Sequence, residues 1–131
     1  MSGWEAYVNS LESITPAVKR VAIIAFDGKI CAKTSGKKDF KASPAELKAL
    51  IKDFDQSDQA LASGVNLENV HYIIPRADER LIFGKRGKMG LFASKTKTAV
   101  IIVVYEGDYD VSSAVRKGVE KVTNHLMSMD Y

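Results

Sequence analysis

The sequence has little of several features that mark particular classes of protein. It contains one cysteine, three prolines and two histidines in 131 residues. The single cysteine, Cys31, cannot form an internal disulfide, which fits a reducing compartment. The longest apolar run, residues 99–105, is far shorter than the about 20 residues of a membrane-spanning helix. The first residues lack the basic start and apolar run of a signal peptide. We therefore expect a soluble cytosolic protein.

A large excess of one charge is also missing, because the formal net charge is only +3. This balance is too small to require a nucleic acid partner, and we expect none. The charges are unevenly distributed along the chain. Between residues 76 and 97 the only carboxylates are Asp78 and Glu79. The same segment has seven cations, Arg76, Arg80, Lys85, Arg86, Lys88, Lys95 and Lys97. Such an excess suits an acidic protein surface or a phosphoinositide headgroup. A solvated lysine-rich edge is the alternative.

The residues that usually carry catalysis are few and poorly placed. His71, His125 and Cys31 match no metal-ligand spacing, so we expect no metal and no cofactor. Asp78 and Glu79 are adjacent, and on a strand they would point to opposite faces. We expect no enzymatic activity. An enzyme that uses Cys31 and a histidine is the alternative, and a buried, unreactive thiol would argue against it.

Hydrophobic periodicity and turn signals predict an α+β fold. We predict a first helix over residues 3–14, followed by strands over 21–26 and 30–32 that are joined by a turn at Asp27-Gly28. A second helix starts at the capping sequence Ser43-Pro44-Ala45-Glu46. Four strands follow over 70–75, 80–84, 89–94 and 98–105, and Asp108 and Asp110 precede a last helix. Short connections between the strands favour a mostly antiparallel sheet. The last strand is apolar on both faces, which predicts helices on each side of the sheet. We expect one domain over residues 1–131.

Both ends of the chain carry aromatic residues. Trp4 and Tyr7 lie near the start, and His125, Leu126 and Tyr131 lie near the end. Chain ends usually fray and are usually polar. Amphipathic helices whose aromatic residues fill a core are one explanation for each residue alone. The whole set favours docked termini that form a binding surface, because Trp and Tyr are typical of surfaces that bind apolar partners.

These end segments and two internal ones resemble the profilin family of actin-monomer-binding proteins. The similar segments are Ser2-Gly3-Trp4-Glu5-Ala6-Tyr7, Arg76-Ala77-Asp78-Glu79-Arg80-Leu81-Ile82-Phe83-Gly84-Lys85, Lys95-Thr96-Lys97-Thr98 and His125-Leu126 followed by Tyr131. Each is weak alone, but their order in a chain of this length is specific. The resemblance implies a central antiparallel sheet with the N- and C-terminal helices on one face and two smaller helices on the other.

The resemblance also implies a groove for proline-rich segments, such as those of formins. The matching positions are Trp4, Tyr7, Cys31, His125, Leu126 and Tyr131. Profilins usually carry a second tryptophan in a Val-Trp-Ala setting, and here the matching residues are Ile30-Cys31-Ala32. We predict that Cys31 weakens or alters proline-rich binding, by about 1–3 kcal/mol as for loss of an interface aromatic residue.

By the same resemblance, the protein binds monomeric actin, promotes nucleotide exchange on actin and regulates actin polymerisation in the cytoskeleton. The matching actin-contact positions are Ile74, Arg76, Arg80, Phe83, Lys97, Arg116 and Lys117. Candidates for binding phosphatidylinositol bisphosphate at a membrane surface are Lys85, Arg86, Lys88 and Lys95. The alternative is a phosphoinositide or membrane-surface adaptor with no actin role. The affinity for a lipid headgroup should fall steeply as the salt concentration rises. The affinity of an actin-binding surface anchored by Phe83 should fall less.

Overall fold

The structure, a computed structural model, describes residues 3–131; Ser2, the first residue of the N-terminal motif, lies outside them. Its strands are β1 (Val18–Ala25), β2 (Ile30–Lys33), β3 (Val65–Leu67), β4 (Val70–Ala77), β5 (Leu81–Arg86), β6 (Met89–Lys95) and β7 (Ala99–Glu106). They form one sheet in the order β2-β1-β7-β6-β5-β4-β3, and every neighbouring pair is antiparallel. Its helices are α1 (Trp4–Glu12), α2 (Pro44–Asp53), α3 (Ser57–Ser63) and α4 (Tyr109–Ser128), with a 3-10 turn at Gly36–Lys38. The α+β prediction is confirmed.

The sheet is covered on both faces, as the apolar character of β7 predicts. Successive side chains of a strand point to opposite faces. Val100, Ile102 and Val104 pack with residues of α2 and α3, whereas Ile101 and Val103 pack with residues of α1 and α4. The terminal helices therefore share one face, and the two smaller helices lie on the other.

The turn between β1 and β2 forms at Asp27-Gly28, as predicted. Gly28 has a φ of +89°, a conformation that glycine adopts without steric cost. The amide of Gly28 donates to the carbonyl oxygen of Ala25 at 2.9 Å, and the side chain of Asp27 accepts from the amide of Lys29 at 2.9 Å. The hairpin places β2, with Cys31, at the edge of the sheet.

The predicted capping box begins α2. The Ser43 hydroxyl accepts from the Glu46 amide at 3.2 Å, and the Glu46 carboxylate accepts from the Ser43 amide at 2.9 Å. The same carboxylate accepts from the amides of Glu68 and Asn69 in the β3–β4 turn. Burial acts to raise the pKa of Glu46, but the hydrogen bonds from Ser43, Asn69 and Glu68 outweigh it and hold the pKa below its ordinary value. Glu46 thus fastens α2 to the far edge of the sheet.

Two short elements were not predicted from periodicity. The helix α3 has seven residues and β3 has three, and patterns this short are weak signals. The alternation in β3 is nonetheless correct for a strand, since Val65 and Leu67 are buried and Asn66 is exposed. The N-terminus of α4 also differs in detail: Asp108 caps the helix, whereas Asp110 lies inside its first turn.

The terminal helices approach closely at one glycine. A Cβ atom added to Gly118 on α4 would overlap the side chain of Ile14, which follows α1. A glycine here therefore lets the end of the first helical segment lie directly against α4. This approach brings the two ends of the chain together on one face of the sheet.

Candidate functional site

The aromatic residues at the two ends of the chain meet on the surface. The ring of Trp4 lies 6.3 Å from that of Tyr7 and 5.9 Å from that of Tyr131, measured between centroids, and the latter pair is edge-to-face. The ring of His125 lies 6.0 Å from that of Tyr7. We call the set of Trp4, Tyr7, His125, Leu126 and Tyr131 the aromatic groove. Five of the six positions that the resemblance implies for proline binding are thus contiguous.

The groove is a depression with an apolar floor. A cavity of about 240 Å³ is lined by Gly3, Trp4, Tyr7, Leu126 and Tyr131. Leu126 is 1% exposed and forms its floor, whereas Tyr131 is 50% exposed. Trp4 and Tyr7 are half-buried, with part of each ring left accessible. The side chains that line the cavity above Leu126 are therefore not wholly buried in the core.

Cys31, the sixth implied position, does not line this cavity. It is half-buried on β2 and packs against the same apolar cluster as Trp4 and Tyr7. Burial, and next the nearby Asp27 carboxylate, raise the pKa of the Cys31 thiol. A thiol in this setting is less ionised at neutral pH and is a weaker nucleophile. The arrangement does not favour the alternative in which Cys31 is a catalytic residue.

A second, larger cavity lies between β5 and the N-terminal half of α4. It has a volume of about 410 Å³ and is lined by Arg76, Leu81, Phe83, Lys85, Phe92, Tyr109, Ser112, Ser113 and Arg116. The rings of Phe83 and Phe92 are stacked with centroids 4.9 Å apart. Three of the lining residues are cations and none is a carboxylate. We call the set of Arg76, Phe83, Lys85 and Arg116 the cationic face.

Two further implied actin-contact residues lie outside the cavity of the cationic face. Arg80 lies with Arg76 on a neighbouring cavity, and its guanidinium is 3.5 Å from the sulfur of Met127. The β4–β5 turn that presents Arg80 is held by Asp78, which accepts from the amides of Arg80 and Leu81 at 2.8 Å each. The hydrogen bond from Arg80 holds the pKa of Asp78 below its ordinary value. Lys117 is exposed on α4, next in sequence to Arg116.

The remaining two implied actin contacts lie elsewhere. Ile74 is 3% exposed and belongs to the core under α2 and α3, so its assignment to a contact surface is corrected. Its neighbour Ile73 points to the other face of β4 and is 69% exposed. Lys97 lies on the β6–β7 turn, where its ammonium pairs with the Asp130 carboxylate at 2.7 Å. Lys97 is therefore next to the aromatic groove and does not line the cationic face.

Two exposed apolar side chains near the implied sites were not predicted from the sequence. Tyr109 is 82% exposed and lines the cavity of the cationic face. Its sequence setting among acidic residues indicated only a helix start. Ile73 was missed because Ile73 and Ile74 are both apolar, and the alternation of β4 alone does not say which of the two faces the core. The buried neighbour Tyr72, two residues before Ile74, is the signal that fixes the register.

The four lipid-headgroup candidates are not brought together. Lys85 lies over the ring of Tyr105, with its nitrogen 5.9 Å from the ring centroid, within the cationic face. Arg86 and Lys88 flank the β5–β6 turn, and Lys95 lies over Phe26 at the opposite end of β6. At about 3.3 Å per residue, the length of β6 separates the two groups by about 20 Å. The candidates therefore do not form one headgroup pocket.

Among residues 3–131, no group of three or more histidine, cysteine, aspartate or glutamate side chains is arranged to hold a metal ion. No helix in this described part of the chain has the length and apolar character needed to cross a membrane.

Comparison with known proteins is consistent along the whole chain. The profilin family model matches residues 2–131. Profilin-1 of Caenorhabditis elegans is 46% identical over 132 residues, covering all of both chains. The structure of Acanthamoeba castellanii profilin IA superposes with a TM-score of 0.87 at 32% identity, covering 98% of this chain and all of the other.

Two more distant structures share the fold. LokiProfilin2, solved in complex with rabbit actin, matches with a TM-score of 0.75 at 19% identity, covering 98% of each chain. Mouse profilin IIa, solved in complex with a double repeat from the FH1 domain of mDia1, matches with a TM-score of 0.75 at 19% identity, covering 99% of this chain and all of the other. The family match over nearly every residue and the close relatives lead to one conclusion: the chain belongs to the profilin family.

Proposed function

We propose that the aromatic groove binds proline-rich segments, such as those of formins. The observation that carries the proposal is that rings from both ends of the chain converge on an exposed apolar depression. A polyproline II segment is already extended, so it loses little entropy on binding, and its rings pack flat on aromatic faces. The Trp4 indole N–H and the Tyr7 and Tyr131 hydroxyls supply donors for the exposed carbonyl groups. The mouse profilin solved with an FH1 double repeat supports this use of the fold.

A decaproline peptide tests this proposal directly. Trp4 is the only tryptophan in the chain, so its fluorescence reports binding at the groove. Wild type should bind saturably, and Tyr131→Ala should weaken binding about tenfold, because it removes an aromatic wall. Tyr109→Ala is the matched control, since Tyr109 is an exposed tyrosine that lines the other cavity. Equal losses in the two variants, or no binding by wild type, would contradict the proposal.

We also propose that the cationic face and its neighbours Arg80 and Lys117 bind monomeric actin. Three cations surround the stacked Phe83 and Phe92 rings, and no carboxylate lines this cavity. Two of these cations also pair with carboxylates outside the cavity, Arg76 with Asp78 at 3.7 Å and Arg116 with Glu120 at 3.0 Å. An apolar anchor with an excess of cations around it suits an acidic protein partner. The LokiProfilin2 structure with rabbit actin supports this function for the fold. The protein would regulate actin polymerisation, and promote nucleotide exchange by favouring one actin conformation.

Polymerisation of pyrene-labelled actin tests the second proposal. Wild type should delay polymerisation by binding monomers. Arg116→Glu should weaken actin binding about tenfold, because the substitution reverses a charge on the rim of the apolar anchor. Lys37→Glu makes the same charge change on the exposed 3-10 turn, far along the chain from this cavity. A wild-type protein without effect on actin would overturn the proposal.

Binding of phosphatidylinositol bisphosphate has weaker support. Lys85, Arg86 and Lys88 lie near one end of β6, and they suit a loose electrostatic contact with an anionic membrane surface. Vesicles with and without this lipid, compared at low and high salt, test it. We further propose that the protein acts in the cytoplasm with the actin cytoskeleton, and by binding alone, without covalent chemistry.

A further inference from the structure

We propose that the β6–β7 turn, residues Thr96–Thr98, is a positioning element of the aromatic groove, and that Lys97 acts there on Tyr131. The proposal rests on the proposed binding of proline-rich segments. The backbone oxygen of Tyr131 accepts from the amide of Lys97 at 2.8 Å and from the amide of Thr98 at 3.1 Å. The ammonium of Lys97 pairs with Asp130, the preceding residue, at 2.7 Å. The β6–β7 turn thus holds Tyr131 by main-chain hydrogen bonds and Asp130 by an ion pair.

Hydrogen bonds within the β6–β7 turn set its shape without a contribution from Tyr131. The hydroxyl of Thr96 is buried, and it accepts from the amide of Ala99 at 3.0 Å and from that of Thr98 at 3.3 Å. A threonine side chain that bonds to nearby amides fixes a local turn. The amide of Lys97 points at the oxygen of Tyr131, and the amide of Thr98 is shared between that oxygen and the Thr96 hydroxyl.

Tyr131 depends on this turn because it lies beyond the end of α4. Asp130 has a φ of +66°, which turns the chain back after the helix, and the amide of Tyr131 donates to the carbonyl of Leu126 at 2.9 Å. That single bond leaves the backbone of Tyr131 free to pivot, whereas the bonds from the turn, which include one from the Thr98 hydroxyl at 3.4 Å, fix its oxygen. Fixing the backbone fixes the point from which the ring extends, and the ring centroid lies 5.9 Å from that of Trp4. The turn therefore limits how far apart these two walls of the groove can lie.

Lys97 contributes the electrostatic part of this hold. Its hydrogen bond and charge keep the pKa of Asp130 below the ordinary value, as expected for a pair formed at neutral pH. Both side chains are exposed, so the pair alone contributes little, and reversing its charge should have a modest effect. The family resemblance implied actin contact for Lys97. The geometry assigns it to the proline-binding surface.

The test compares charge variants at this pair with a matched surface change. We expect Lys97→Glu to weaken decaproline binding about threefold and Lys97→Arg to stay close to wild type, because only the former repels Asp130. The charge swap Lys97→Asp with Asp130→Lys should recover most of the loss. Lys88→Glu, the same charge change at the β5–β6 turn, should leave decaproline binding unchanged. Thermal unfolding should be unchanged in all four variants, which separates positioning of the groove from general stability.

The affinity for monomeric actin is measured as a comparison, because it reports on the other surface. Lys97→Glu should leave the affinity for monomeric actin unchanged. A Lys97→Glu protein with normal decaproline affinity, or with weakened actin binding alone, would overturn the inference while the proposed groove stands. Absence of decaproline binding by wild type would overturn the proposed function itself.

Discussion

The aromatic groove and the cationic face lie on the same side of the sheet but are built differently. The groove is assembled from residues at the two ends of the chain, whereas the cationic face comes from β4, β5 and α4. α4 serves both, with Arg116 at the cationic face and His125 at the groove. At about 1.5 Å per residue, these two positions are about 14 Å apart along the helix. One helix can therefore carry two distinct surfaces, although Arg80, a proposed actin contact, reaches Met127, which is next in sequence to Leu126 of the groove.

The contrast teaches which kind of contact each surface uses. The groove presents half-buried rings over an apolar floor, so its binding should depend on flat apolar packing and a few hydrogen bonds. The cationic face presents charges around a stacked phenylalanine pair, so its binding should depend on charge complementarity as well. Each difference can be tested by a change that affects one surface and spares the other.

The largest expected effect is on the groove. Trp4→Ala should weaken decaproline binding by at least about 2 kcal/mol, or about 30-fold, because it removes the ring that contacts both Tyr7 and Tyr131. Titration calorimetry measures this loss without the tryptophan signal. Actin binding should change less than twofold. A comparable loss of actin affinity would mean that the two surfaces are not separate.

Replacing Cys31 tests how complete the groove is. Cys31→Trp should strengthen decaproline binding by about 1–3 kcal/mol, because it adds an aromatic plate on the edge strand beside Trp4 and Tyr7. Cys31→Ser is the control for loss of the thiol alone. Unchanged affinity in Cys31→Trp would show that this position does not limit proline binding.

Much of the groove could be predicted from sequence because aromatic residues are unusual at chain ends. Trp4 and Tyr131 are far apart in sequence, yet their type and position already indicated docked termini. Lys97 could not be assigned in the same way. The sequence does not distinguish a solvated lysine from one that binds a partner or one that pairs with Asp130. Only the three-dimensional position of the β6–β7 turn distinguishes these cases.

The sheet and its covering helices were predicted from strong patterns, including the all-apolar β7 and the capping box at Ser43. The short α3 and β3 were not, because few residues define them and the rest of the fold holds them in place. The exposure of Ile73 on β4 was also not predicted. Ile73 and Ile74 have the same side chain, and the alternation with Tyr72, two residues before Ile74, is what assigns Ile74 to the core.

Substitution of two buried tyrosines tests whether a hydrogen bond beneath the cationic face contributes to the free energy of unfolding. Tyr105 stacks on Phe92 with centroids 5.6 Å apart, and its hydroxyl donates to Ser112 at 2.7 Å. Tyr105→Phe should lower the free energy of unfolding by about 1 kcal/mol, since it leaves Ser112 without this partner. Tyr72 is the matched control on the other face: among the described residues, its hydroxyl is buried without a hydrogen-bond partner.

For this reason Tyr72→Phe should leave the free energy of unfolding unchanged or raise it slightly. Urea denaturation measures both variants. A larger loss for Tyr72→Phe than for Tyr105→Phe would contradict the assigned hydrogen bonding.

The smallest expected effect is that of salt. Raising the salt concentration from about 50 to about 300 mM shortens the screening length and should weaken actin binding several-fold. Decaproline binding should change less than twofold, since the groove binds through rings. Strong salt dependence of decaproline binding would place charge, and not aromatic packing, at the centre of the groove.

The most direct test of two separate surfaces is the dissociation constant of decaproline for the protein with and without saturating monomeric actin. If the groove and the cationic face are independent, the two values agree within about twofold, and a ternary complex forms. If actin reduces decaproline binding in proportion to its occupancy, the two partners share one surface and the account is wrong.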